Sequence, residues 1–162
     1  AVNKLTALGF GRGEVLDALK KTTGNIDKAL LVLLGNLYKD KSKGPLATAE
    51  ADQDEVEELR FDERVVLESM YGEDDFREIW FELGKILGCE VKIPIRGLKH
   101  PITLHVRHDA PCLYPYSPPF LLIKSDELSG ARLMNAMREL CGKAEALAES
   151  SPGSPMVHDL CQ

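Results

Sequence analysis

The sequence predicts an α three-helix bundle followed by an α+β domain, the latter an antiparallel four-strand meander with flanking helices. Three observations point there. Apolar residues recur at helical spacing through residues 1–38, punctuated by glycine. Alternating apolar runs between residues 79 and 106 have the two-residue period of half-buried strands. A proline-rich turn and a long apolar helical stripe then close the chain.

In the bundle, Val2, Leu5 and Leu8 step by three before Gly9-Phe10-Gly11 breaks the helix. A second helix spans 13–21, with Val15, Leu16 and Leu19 inward. Gly24 supplies a left-handed cap and Asn25 the N-cap of the next helix. That third helix runs over 26–38, with Ile26, Ala29, Leu30, Leu33 and Leu37 at helical spacing. With Ile26, Leu30, Leu33 and Leu37 inward, Leu31 falls about 140° away and Leu34 lies on the rim near about 80°. The segment is therefore apolar on more sides than its own bundle covers, and another surface is expected over Leu31 and Leu34.

Residues 39–53 read as a charged, Gly-Pro-interrupted linker. An acidic helix follows over 54–71, with Val56, Leu59, Val66, Leu67 and Met70 inward and Gly72 ending it. The strand runs are Ile79, Phe81 and Leu83; Val91, Ile93 and Ile95; and Ile102, Leu104 and Val106. Residues 84–88 and 97–101 are the expected hairpin connections. Tyr114-Pro115-Tyr116-Ser117-Pro118-Pro119 cannot be helical and forms a rigid turn before a short strand over 120–123. A helix over 127–149 carries Leu133, Met137, Leu140, Cys141, Ala144 and Leu147 on one stripe. Ser154-Pro155 is expected to start a last short helix, cut off at Gln162 and burying little. The chain opens at Ala1, and a piece of a longer protein is expected.

Net charge is −6 and uneven: residues 1–40 carry +2, whereas fourteen acids against Arg60, Arg64 and Arg77 lie between Glu50 and Glu82. Such a segment repels phosphate backbones, so it is not expected to contact nucleic acid directly. The longest apolar run, Ala29 to Leu34, is far short of the ~20 residues of a membrane span. Cys89, Cys112, Cys141 and Cys161 have no paired-knuckle spacing, which argues against structural zinc. Four free thiols suit a reducing compartment, cytoplasm or nucleus.

Two stretches carry a family resemblance. Leu8-Gly9-Phe10, Ala18-Leu19, Gly24-Asn25-Ile26-Asp27 and Val32-Leu33-Leu34 resemble, in order and spacing, a ubiquitin-associated (UBA) domain. Leu67-Glu68-Ser69-Met70-Tyr71-Gly72, the meander, and Tyr114-Pro-x-x-Pro-Pro119 resemble an RWD domain, a relative of the ubiquitin-conjugating enzyme fold. The order UBA then RWD is similar to the N-terminal region of certain DEAH-box RNA helicases. No GxxxxGK[ST] phosphate loop occurs in this chain, so an ATPase would lie outside it.

The resemblance implies ubiquitin as a partner, with Leu8, Gly9 and Phe10 and the end of the third helix, Leu31 and Leu34, as its site. It implies an unidentified protein partner for the RWD unit. No catalytic residue, metal or cofactor is expected. The conjugating-enzyme cysteine would follow the YPxxPP turn, and none stands there. Cys141 lies on an apolar stripe and Cys112 precedes the turn. Neither has the activating neighbours a nucleophilic thiol needs. His105 and His108 fall on opposite strand faces and are expected to face solvent rather than share a metal. Tyr114, Pro115, Pro118, Pro119 and Tyr71 read as structural: the turn packs its rings, and the helix end with Tyr71 packs on the sheet. The acidic run 50–63 reads as a solvated helix face. The function expected is non-catalytic protein interaction. An E2-like conjugating domain and an intramolecular scaffold without ubiquitin binding are the alternatives.

Overall fold

The computed structural model describes residues 1–46, 50–80, 84–109 and 112–162. Three short helices open the chain: α1 (Val2–Thr6), α2 (Arg12–Lys21) and α3 (Ile26–Gly35). Gly24, at φ 80°, ends the α2 turn, and the Asn25 side chain accepts from the Lys28 N–H at 2.9 Å as the N-cap of α3. Next come α4 (Gln53–Asp75), β1 (Phe76–Trp80), β2 (Ile86–Ile93), β3 (Ile102–Arg107), β4 (Phe120–Lys124), α5 (Gly130–Ser150) and α6 (Val157–Cys161). The strands form one antiparallel meander in the order β1-β2-β3-β4.

Register assigns the two sheet faces. Val91, Leu104 and Ile123 pair across one face, as do Cys89, Val106 and Leu121, and all are buried. Helix α4 packs on β1 and β2, and α5 packs on β4. The opposite face carries Arg77, Glu90, His105 and Leu122 in one row, with Phe120 beside Arg107. Helix α3 packs against β4. A side-chain carbon at Gly35 would stand 3.9 Å from the Phe120 ring, so α3 reaches the outward-facing Phe120. β4 is an edge strand, and the bundle covers it. One hydrophobic core thus runs from Leu5, Val15 and Leu33 of the bundle to Leu121, Met137 and Val157 of the sheet domain.

Several expectations are corrected. The bundle face is rotated: Leu16, expected inward, is exposed, while the rim residue Leu34 is buried because another unit lies against it. On α4, Val66 and Met70 are exposed and Arg60 is buried beside Val56 and Leu67. Gly72 does break the helix, at φ 74° and ψ 172°. β1 starts at Phe76, earlier than the Ile79 run; Phe81 and Leu83 lie outside the described residues. β2 begins at Ile86, inside the expected hairpin, and Ile95 lies beyond its end and is exposed.

The first part of the expected linker is not free chain. The Asp40 N–H donates to Glu145 at 3.2 Å, Lys43 pairs with Glu149, and Gly44 packs under Tyr38. Both glutamates are on α5, so this segment is fastened to it. The last helix starts at Val157 with Met156 at its N-cap, in place of Ser154-Pro155. It buries Met156, Val157, Leu160 and Cys161, far more than its length suggested.

Candidate protein-interaction sites

The Leu8–Phe10 loop leads from α1 to α2. Gly9 takes φ 96°, a conformation that favours glycine. A Cβ there would meet Met134 of α5 at 3.1 Å and the Gly130 carbonyl at 3.4 Å. Phe10 is buried, and Leu8 is half-buried against the common core. At the other end of the bundle the Tyr38 hydroxyl donates to the Pro119 carbonyl. Leu34 of α3 is buried, and Leu31 is half-buried beside a cleft also lined by Ile79, Leu87 and Arg107. Of the five residues named for ubiquitin, Gly9 meets α5 and Leu31 borders the Ile79–Arg107 cleft, while α3 packs on β4. Burying a leucine is worth ~1.5–3 kcal/mol, so this contact holds the bundle in place.

The YPxxPP turn is gripped by α4. The buried Arg60 donates from Nε to the Tyr114 carbonyl at 2.8 Å and from Nη2 to the Cys112 carbonyl at 3.0 Å. Its Nη1 pairs with Glu57 at 2.9 Å. The Tyr114 hydroxyl donates to the Glu63 carboxylate and accepts from the Met156 N–H at 2.8 Å. Glu63 also accepts from the Val157 N–H at 2.8 Å, capping α6 with negative charge. Burial raises the Glu63 pKa above the ordinary glutamate range, against the lowering effect of these hydrogen bonds. Ser117 holds the turn from within, its Oγ accepting from the Leu113 N–H at 3.2 Å. Pro115, Pro118 and Pro119 are buried, so the motif is part of the core.

Two further assignments change. Tyr71 adjoins the common core and packs on α6, its ring 6.4 Å from His158. His105 and His108 are buried instead of solvent-facing. His105 sits 2.9 Å from Glu90 and keeps a pKa pushed down to about 4, by burial first and by Lys124 next. His108 stacks on Tyr114 with centroids 6.0 Å apart; burial and the Arg60 charge push its pKa down to about 3. They do not converge with a third ligand, and no metal-holding group of His, Cys, Asp or Glu occurs among the described residues. No helix of the described residues is long and apolar enough to cross a membrane.

All four cysteines are buried and free. Burial pushes each thiol up, Cys141 to about 12. Cys141 lies against Tyr38 at the seam between bundle and α5. Cys112 faces Ser117 and the Pro118 carbonyl inside the turn.

A family model described as the RWD domain matches residues 58–162. The chain belongs to the RWD domain family. RWD domains are protein-interaction domains related to the ubiquitin-conjugating fold, and the four-strand antiparallel sheet with its flanking helices fits that fold. Comparison with curated proteins and with solved structures finds no match. Within the RWD domain, Tyr114 and the prolines are legible in the sequence, whereas the roles of Arg60 and Glu63 are not. One signal was present for Arg60: it stands four residues after Val56 on the inward stripe.

Proposed function

We propose that the chain is a non-catalytic protein-interaction region in which a UBA-like bundle is docked on the RWD domain and forms one platform with it. The contact of Gly9 with Met134 carries this reading, because it turns the Leu8–Phe10 loop inward. The bundle then serves as an intramolecular scaffold that covers β4. By resemblance the parent is an ATP-dependent RNA helicase, and this region recruits or positions a protein partner for it. Four buried, unpaired thiols support a reducing compartment, cytoplasm or nucleus. Their raised pKa values also argue against E2-like thioester chemistry, which needs an accessible thiolate.

Ubiquitin binding is the second reading, favoured by the half-exposed Leu8 and Leu31. Titration of labelled chain with millimolar ubiquitin tests both readings by NMR. Docking predicts unmoved amides at Leu8–Phe10; saturable shifts there and at Leu31–Leu34 would overturn it. Incubation with an activating enzyme, ubiquitin and ATP tests the non-catalytic part. No thioester is expected, and one lost on Cys112→Ser or Cys141→Ser would contradict it.

A further inference from the structure

The side of α4 that faces away from the sheet is unusual for a solvated helix. Phe61 and Val65 are one turn apart and 56 % and 51 % exposed. Around them on the same exposed side stand Asp54, Glu57, Glu58, Asp62 and Glu68. The two bases of this stretch are largely covered: Arg60 is buried and pairs with Glu57 at 2.9 Å, and Arg64 pairs with Glu78 of β1 at 3.2 Å with its guanidinium 5.6 Å from the Phe61 ring. Trp80, two positions beyond Glu78 on the edge strand β1, is 57 % exposed. The result is an apolar ridge with an acidic rim, and the edge strand β1, tied to α4 through Glu78, carries an exposed aromatic ring.

We propose that this face is a docking site for a basic amphipathic helix of a partner protein. The inference rests on the interaction-platform reading above and names its surface and partner chemistry. Apolar anchors one turn apart on the partner would pack on Phe61 and Val65, and Lys or Arg beside them would meet the carboxylate rim. Charge complementarity selects this occupant. A second copy would set one acidic rim against another, which is repulsive. A phosphate backbone would be repelled likewise. The bundle is already seated on β4 and α5. Two exposed anchors give modest affinity once association costs are subtracted, and the charges raise the association rate and its salt dependence.

The probe is a synthetic 18-residue amphipathic peptide of leucine and lysine, titrated into the labelled chain. Trp80 is the only tryptophan, so its fluorescence reports on the β1 side of the site. Saturable shifts are expected at Phe61, Val65 and Glu68, with a change in Trp80 emission. The double variant F61S/V65S should bind at least about tenfold more weakly while melting like the parent, since both side chains are exposed. Binding should also weaken as salt is raised. A peptide of the same composition with its leucines scattered around the helix should bind at least about tenfold more weakly, as should a leucine–glutamate peptide. Equal binding of the scattered peptide, unchanged binding by F61S/V65S, or shifts mapping to another face would overturn the proposal. So would sedimentation showing that this face pairs two copies. Each of those outcomes leaves the thioester and ubiquitin experiments where they stand, so the two readings fail separately.

Discussion

The Tyr114 hydroxyl lies 2.8 and 2.7 Å from the two carboxylate oxygens of Glu63, a residue fifty-one positions earlier in the chain. The same hydroxyl takes the Met156 N–H at 2.8 Å, and Glu63 takes that of Val157 at 2.8 Å. One phenol and one carboxylate therefore join α4, the YPxxPP turn and the start of α6. The carboxylate is mostly out of water, so it depends on these donors.

Tyr114→Phe keeps the ring and deletes the bridge. It leaves a buried carboxylate short of a donor and the Met156 N–H without an acceptor. A loss of about 1.5–3 kcal/mol in unfolding free energy is expected from urea titration. Tyr116→Phe is the control. The Tyr116 ring lies over Gly153 and would stay, and its hydroxyl has only the exposed Glu55 beside it, so the urea midpoint should stay close to that of the wild type.

His108 predicts a pH dependence. Its folded-state pKa lies near 3, below the ordinary histidine value of 6.5. The unfolded chain therefore takes a proton there first as pH falls. This contribution is complete above the ordinary value and is lost as pH drops from about 6.5 toward the folded-state value. His105, also lowered, adds in the same direction. Glu63 has the opposite sign: its raised pKa favours the fold at low pH, and that contribution fades as pH rises through the folded-state value. Urea midpoints for wild type and His108→Asn at pH 7.5 and pH 5 check this. The wild type should lose more stability between the two pH values than the variant.

The meander, the YPxxPP turn and the long helix were legible because their signals are local. Period-two alternation, adjoining prolines and a helical stripe each sit within one segment. The α4 polar grip was not legible, because Arg60 and Glu63 are assigned to the interior only by a turn more than fifty residues away. His108 was misassigned for a related reason: the ring of Tyr114 in the turn stacks on it and covers ground that strand parity alone leaves open to solvent. The bundle's excess apolar surface was visible at Leu31 and Leu34. What covers this side of α3 was not, since it comes from the distant strand β4.

Glycines separate the docked loop from the rest of the bundle. Gly9→Ala must hold φ near 96° and press on Met134, so a destabilisation of about 1–3 kcal/mol is expected. Gly13 lies inside α2 with open space around it, and Gly13→Ala should stabilise by about 0.5–1 kcal/mol. Thermal melts of the two variants should move in opposite directions.

Two leucines of the bundle make a second pair. Leu34→Ala removes a side chain that is 1 % exposed and should cost about 2–5 kcal/mol. Leu16→Ala removes one that is 49 % exposed and should cost well under 1 kcal/mol. Denaturant titration distinguishes them directly. Equal effects would mean that nothing covers Leu34.

The central claim is that bundle and RWD domain form one body through Gly9, Tyr38 and the 40–43 segment. NMR relaxation of backbone amides in the intact chain tests it most directly. The account predicts one rotational correlation time shared by α1–α3 and by α4–α6. A shorter correlation time for the amides of residues 2–35 than for those of the sheet and α5 would contradict it.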